Sequence, residues 1–168
     1  MDFLKWLRRA SAESPVPFVG ADEENTTILP GRAAKAIDLD AIEAIEAHMR
    51  WKARLESRLF SDQQDVIQAD NIFRDNRSTL GRWLYGRGSE RFGTLETFAD
   101  LRRYNAEFHR HAGQAVMAFN AGRKEEAIRI VTVGEYVRAS SRIRQTLVRL
   151  FAEVEERDRQ ADDRLRLA

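Results

Sequence analysis

Residues 94–121 read TLETFADLRRYNAEFHRHAGQAVMAFNA, and their apolar side chains recur at helical spacing. Because positions three and four residues apart share one face of an α-helix, these side chains form one continuous stripe. We predict a long amphipathic helix whose inner face consists of Leu95, Phe98, Leu101, Phe108, Ala112, Ala115 and Phe119. The same face includes Asn105 and places His109 beside it. Polar groups therefore lie where a helix normally buries apolar ones.

The rest of the chain continues this helical pattern. Residues 37–60 and residues 124 to beyond 156 are predicted as two further long helices. A short helix is predicted around TLGRWLYGRG, residues 79–88, with its cap supplied by Asp75, Asn76 or Ser78. Gly86 and Gly88 are expected to end it. Three long helices and a short one, joined by brief turns, predict an all-α fold, an antiparallel four-helix bundle over residues 37–165.

Composition limits the classes of function. The chain has 168 residues, of which 33% are charged, and a formal net charge of +1, so no nucleic-acid partner is indicated. It has no cysteine, which excludes disulfides, thiolate metal ligands and thiol catalysis. No apolar run is long enough for a membrane span, and the start lacks the apolar core of a signal peptide. A cytoplasmic protein is expected.

Residues 1–36 form a separate region, an N-terminal amphipathic segment and linker that holds all three prolines. Its start, DFLKWLRR, has four large apolar residues with basic neighbours, namely Phe3, Leu4, Trp6 and Leu7. Such a peptide can dock into a partner groove or make a weak contact with an anionic membrane. The alternative is that it folds back on its own bundle or stays disordered.

The histidines raise the question of a metal site. His48 belongs to the apolar stripe of the first long helix, whereas Asn105 and His109 lie on the inner face of the third predicted helix. Helical bundles build metal sites from side chains of facing helices, and a pair at i, i+4 suits zinc if further ligands arrive. Here that pair is Asn-His rather than His-His, so the zinc pattern is incomplete. His111 is expected on the surface.

Three stretches together resemble a known family. HMRWKARL (48–55), STLGRWLYGRG (78–88) and NAEFHRHAG (105–113) occur in the order and spacing of the chemoreceptor zinc-binding domain, over roughly residues 38–152. The resemblance implies a bacterial helical domain of the kind attached to chemotaxis receptors and diguanylate cyclases. In that family a His before the Trp, a Cys two residues before Leu-Gly, and a His-x-x-Phe-His pair hold zinc.

This chain departs from the family pattern at two of the four ligand positions. His48 and His109 match family histidines, but Ser78 stands at the cysteine position and Asn105 at the first histidine of the pair. A serine hydroxyl stays protonated at neutral pH, and an amide is better suited to hydrogen bonds than to zinc. A complete structural zinc site contributes ~10 kcal/mol or more, and losing a thiolate and an imidazole should remove most of it.

Three interpretations of these four residues follow. They can form a neutral hydrogen-bonded cluster that fills the old metal pocket, since the set offers complementary donors and acceptors. Alternatively, His48 and His109 still bind zinc weakly. A hydrolase with Ser78 activated by a histidine is not expected, because no orienting carboxylate or oxyanion hole accompanies it. A di-iron centre is rejected, because three histidines are too few for one.

The resemblance also implies a role. We expect a non-enzymatic signalling or adaptor module of a bacterial chemotaxis or cyclic-di-GMP pathway, without a cofactor. The chain ends soon after the fourth predicted helix, so a stand-alone domain is expected, acting through contacts with a chemoreceptor or a diguanylate cyclase. A homodimer is expected from the family. The alternative function is a zinc-responsive sensor that binds the metal through His48 and His109.

Overall fold

The computed structural model describes residues 33–61 and 65–167, and its side chains from residue 42 onward except residue 162. This part of the chain holds seven helices and no strand, which confirms the all-α prediction. The helices are α1 (Ala33–Phe60), α2 (Ala69–Phe73), α3 (Thr79–Tyr85), α4 (Arg87–Phe92), α5 (Glu96–Asn120), α6 (Lys124–Thr132) and α7 (Glu135–Leu167). The predicted docking residues Phe3, Leu4, Trp6 and Leu7 lie outside the described residues.

Helix α5 lies at the centre of the fold, where it packs against α2, α6 and α7. Its buried face confirms the predicted stripe: Phe98, Leu101, Phe108, Ala112, Ala115 and Phe119 are all buried. Leu95 is buried as well, immediately before the first helical turn. Asn105 and His109 are buried on the same helix, so the polar interruption of the stripe lies inside the core.

The predicted fourth helix is wrong in one respect, because two helices stand in its place. Helix α6 ends at Thr132, Val133 is extended, and Gly134 has a φ of 104° before α7 begins. A positive φ of this size favours glycine, and it interrupts the helical hydrogen bonds. The apolar Val133, which would lie within one continuous helix over this region, is 69% exposed as a result. Apolar residues continue at helical spacing across the break, so the sequence pattern did not reveal it.

The short helices differ from prediction in number. Ser78 caps α3 by accepting a hydrogen bond from the Gly81 N–H at 3.0 Å, which confirms one of the three predicted caps. Gly86 ends α3 as predicted, but Gly88 does not end a helix. It lies within α4, where an added Cβ would come 3.0 Å from the Trp83 ring. Helix α2 was not predicted at all. The described chain therefore has three long helices and four short ones.

The stretch that carries α2 crosses the surface of α5. We call residues 65–78 the strap. Phe73 of the strap packs over Gly113 of α5 so closely that a Cβ at Gly113 would lie 2.6 Å from the Phe73 ring. Because glycine has no side chain, it leaves the notch in which this ring sits. Within the described residues, no helix combines the length and apolar character that crossing a membrane requires.

The close contact at Gly113 predicts that Gly113→Ala has opposite effects on the free energy of unfolding in the presence and absence of the Phe73 ring. Gly113→Ala alone should lower the free energy of unfolding by about 1–3 kcal/mol, since the new methyl group overpacks against Phe73. In a Phe73→Ala background the same change should raise it by about 0.5–1 kcal/mol, because alanine is the better helix former. Urea unfolding of the four proteins measures both values. Equal effects of Gly113→Ala in both backgrounds would contradict the observed seat of Phe73.

Candidate functional site

His48 is the predicted site residue on α1, and it is buried, with 2% of its surface exposed. Its Nε2 shares a hydrogen bond of 3.3 Å with the Ser140 hydroxyl of α7. The ring also meets Phe108 of α5 edge-on, with 4.6 Å between the ring centroids. Burial of the α1 apolar stripe thus brings an imidazole into the core, where α7 supplies its polar partner.

His109 lies on α5 with 1% of its surface exposed. Its Nδ1–H donates a hydrogen bond of 2.8 Å to the Ile72 carbonyl of the strap. A carbonyl oxygen only accepts, so this bond assigns the hydrogen to Nδ1 in the neutral ring. Nε2 then carries a lone pair, and this buried atom has no partner among the described residues.

Asn105, one helical turn before His109, is fully buried. Its Nδ2–H donates a hydrogen bond of 3.0 Å to the Asp75 carbonyl, also in the strap. Its Oδ1 is buried and finds no partner in the described part of the chain. Each buried acceptor left without a hydrogen bond costs about 1–3 kcal/mol. Asn105 and His109 therefore each donate one hydrogen bond to the strap, and each has one buried acceptor atom without a hydrogen bond.

Ser78 stands at the other end of the strap. Its hydroxyl is engaged as the α3 cap, and the turn before it packs closely on α3, where a Cβ at Gly81 would come 1.9 Å from the Asp75 carbonyl oxygen. The carbonyl that accepts from Asn105 thus also lies against α3. Ser78 and Asn105 are linked through one tight turn, although no direct hydrogen bond joins their described side chains.

Aromatic rings connect the two buried histidines. Phe108 meets His48 at 4.6 Å and His109 at 5.5 Å, and Trp51 meets His109 at 5.0 Å, all between ring centroids. Tyr136 of α7 stacks on Phe108, with 4.7 Å between the ring centroids. The structure therefore brings His48 and His109 together around one phenylalanine, in a wall of apolar rings.

A column of residues along α5 holds the strap. Asn105 and His109 donate hydrogen bonds to carbonyls of the strap, and the Phe73 ring packs against Gly113. Asn120 is the last residue of this column. The Asn120 amide accepts from the Ile67 N–H at 3.1 Å and donates to the Ile67 carbonyl at 2.7 Å. The strap residues that are hydrogen-bonded, Asp75, Ile72 and Ile67, are met in reverse order along α5, so the strap runs antiparallel to it. Two of the four candidate ligand positions, Asn105 and His109, thus anchor the backbone of the strap.

Sequence reasoning missed the partners of these residues. The anchors of Asn105 and His109 are backbone carbonyls, which any residue supplies, so no side-chain pattern could reveal them. Ser140 was detectable, because it lies seven residues before Leu147 on the apolar stripe of the last helix. His111 is partly exposed rather than fully so. It accepts from the Arg110 guanidinium and donates to the Gln114 carbonyl oxygen.

Burial keeps both core histidines neutral. It lowers the pKa of His48 from its ordinary 6.5 to about 3, helped by the neighbouring His109, Lys52 and Arg144. Burial also lowers the pKa of His109, against the opposing effects of the Ile72 hydrogen bond and the Asp75 carboxylate. Removing a charged imidazolium from water costs free energy, so burial favours the neutral form of both histidines.

The available donors can be compared with what zinc requires. A structural zinc site takes four ligands, usually thiolates and imidazoles. Within the described residues, no group of three His, Cys, Asp or Glu side chains is arranged to hold a metal ion. The pocket offers two neutral imidazoles and an amide oxygen, while the Ser78 hydroxyl already accepts from a backbone N–H. This donor set does not fit the four-ligand zinc site.

The lowered histidine pKa values predict a pH dependence of stability. Above pH 6.5 the neutral histidines are fully compatible with folding. As the pH falls from 6.5 towards the folded-state pKa, the unfolded chain gains protons that the folded chain does not. The free energy of unfolding should drop by up to about 1.4 kcal/mol per pH unit for each histidine that stays neutral.

Urea unfolding between pH 7 and pH 5, above the range in which most carboxylates titrate, measures this slope. His48→Phe should make the slope shallower, whatever its effect on absolute stability. The control His111→Gln removes the partly exposed histidine and should leave most of the slope. An unchanged slope in His48→Phe would show that His48 takes up protons equally in the folded and unfolded chains, which would contradict its lowered pKa.

Comparison with known proteins adds one match. Residues 48–116 match the family model described as "Chemoreceptor zinc-binding domain". The match is narrower than the 38–152 expected from the sequence, yet it includes all four candidate positions. Neither a curated protein nor a solved structure shows significant similarity to the chain. Residues 48–116 of this chain are therefore similar to the chemoreceptor zinc-binding domain family.

Proposed function

We propose that this chain is a non-enzymatic signalling module of a bacterial chemotaxis or cyclic-di-GMP pathway, whose former zinc pocket now serves as an internal hydrogen-bonded cluster. The match of residues 48–116 to the family model supports the signalling assignment at its coarser level. One observation carries the rest: the four residues at the ligand positions all make hydrogen bonds within the chain. The module, in the antiparallel four-helix arrangement expected from the sequence, then acts through protein–protein contacts in the cytoplasm.

The charges around the pocket support the loss of tight zinc binding. The pocket contributes no thiolate, and the cations Lys52 and Arg144 are among the groups that lower the pKa of His48. A divalent ion would therefore meet neutral ligands without a directly coordinating anion, and part of its hydration energy would go uncompensated. The free Nε2 of His109 is the one feature that favours the alternative function, a zinc-responsive sensor.

The position of Ser78 supports the absence of catalysis. Its hydroxyl accepts a hydrogen bond from the Gly81 N–H as a helix cap. A catalytic serine needs a base within hydrogen-bonding distance, and the described His48 and His109 bond instead to Ser140 and Ile72. The proposed activity is therefore binding: a second copy of the chain, a chemoreceptor or a diguanylate cyclase is the proposed partner.

The metal prediction distinguishes this function from the sensor. Protein purified without added zinc should hold far less than one zinc per chain, measured by elemental analysis. Added micromolar zinc should leave the melting temperature nearly unchanged, because no native-state site is saturated. Zinc bound to the folded state at a hundred times its Kd would contribute about 2.7 kcal/mol, a shift that is easily measured. Such a shift, lost in His48→Phe and His109→Phe, would establish the sensor instead.

Restoring the family ligands should restore the metal. The double variant Ser78→Cys with Asn105→His should bind one zinc per chain, with a rise in melting temperature on zinc addition. Each single variant serves as the matched control and should bind more weakly, since each supplies only three ligands. A folded double variant without zinc affinity would mean that the four positions do not converge, which would contradict the proposed origin of the pocket.

The association prediction concerns the N-terminal segment with Phe3, Leu4, Trp6 and Leu7. Deleting residues 1–12 should leave the helical content and cooperative melting intact while weakening self-association or capture of a chemoreceptor or diguanylate cyclase. Replacing these four residues with serine in the full chain is the matched control. Loss of cooperative melting would instead place the segment in the core. Binding to anionic vesicles should be weak at most, since four apolar residues bury little area.

A further inference from the structure

Two buried acceptors lie side by side on α5. Asn105 and His109 are one helical turn apart, and both are at least 99% buried. Asn105 Oδ1 and His109 Nε2 have no hydrogen-bond partner among the described residues. Native interiors rarely leave two neighbouring polar atoms unsatisfied, so this pair indicates a site for a ligand.

Neither acceptor can be satisfied by reorienting its own side chain. The Asp75 carbonyl needs the amide hydrogens of Asn105, so flipping the amide would place two oxygens against each other. The Ile72 carbonyl likewise needs the Nδ1–H of His109, which leaves the lone pair on Nε2. The strap thus fixes both side chains, and the site offers two acceptor atoms, Asn105 Oδ1 and His109 Nε2.

Charge and size restrict what can bind there. The site adjoins the rings of Trp51 and Phe108, which contribute no anion. The Asp75 carboxylate, which acts on His109, accepts a hydrogen bond of 2.8 Å from the Tyr85 hydroxyl at the surface. A cation would therefore lack a direct counter-charge, whereas a small neutral molecule with two donor hydrogens complements both lone pairs.

We propose that one ordered water molecule binds between Asn105 Oδ1 and His109 Nε2, donating a hydrogen bond to each, in the place where relatives of this chain hold zinc. Buried waters in proteins typically bridge polar groups that would otherwise lack a partner. The water joins the two residues that anchor the strap and completes the neutral cluster. This inference rests on the proposed function, since bound zinc would occupy the same atoms.

Nuclear magnetic resonance of protein with isotope-labelled histidine tests the site. The three histidines give three Hε1 signals, and long-range ¹H–¹⁵N correlation identifies the protonated nitrogen of each ring. For His109 we expect hydrogen on Nδ1, a lone pair on Nε2, and cross-relaxation between Hε1 and a water that resides longer than a nanosecond. His111, partly exposed, is the internal control and should show only rapidly exchanging water.

Variants keep the test specific. Asn105→Leu removes one acceptor and should abolish the long-lived water signal at His109. Asn105→Gln, which keeps an amide donor for the Asp75 carbonyl and an acceptor oxygen, guards against a leucine variant that fails to fold and should retain the signal. Gln114→Leu, an exposed change on the same helix, should also leave it unchanged. A metal-free protein without the water signal, or with hydrogen on Nε2, overturns the water site but not the proposed function. One tightly bound zinc per chain overturns both.

Discussion

The hydrogen bond from His109 to the Ile72 carbonyl is the contact on which the pocket depends. It fixes the strap to α5 and, at the same time, places the hydrogen of the neutral imidazole on Nδ1. The other nitrogen is then an acceptor inside the core. Reversing the ring would leave the strap carbonyl without its donor, so the position of the backbone and the chemistry of the pocket are set by one bond.

The column on α5 explains why polar residues interrupt an apolar stripe. Asn120, which is exposed, bonds to the strap backbone at the far end of the column. The buried Asn105 and His109 each satisfy a backbone carbonyl of the strap, which has little regular structure of its own. A buried carbonyl without a donor is costly, and an apolar residue at these positions would create that cost. Gly113 belongs to the same column for a steric reason, since it admits the Phe73 ring.

Under the proposed function, hydrogen bonds replace a zinc ion, and the apolar core then has to supply the lost stability. A structural zinc ion contributes ~10 kcal/mol or more, whereas a single hydrogen bond contributes about 1 kcal/mol net. The rings of Phe108, Trp51 and Tyr136 surround the histidines with contacts that need no metal. Aromatic side chains bury large areas, and this wall is where we expect the compensating stability to arise. We expect this cluster to be sensitive to acid, because burial lowers the pKa of both imidazoles.

Helical phase alone was enough to predict the all-α class, the inner face of α5, and the burial of His48, Asn105 and His109, because a period of 3.6 residues directly determines which side chains share a face. The Ser78 cap was predictable too, since capping is a local interaction. The break at Gly134 was not, because the apolar period continues across it.

Only the tertiary structure decided what the polar residues bind. Their partners are the backbone carbonyls of Asp75 and Ile72, which are 30 and 37 residues away along the chain. Every residue has a backbone carbonyl, so the sequence does not show which carbonyl will be bonded. The side-chain types determine which atoms are able to donate or accept, whereas the fold determines which atoms meet.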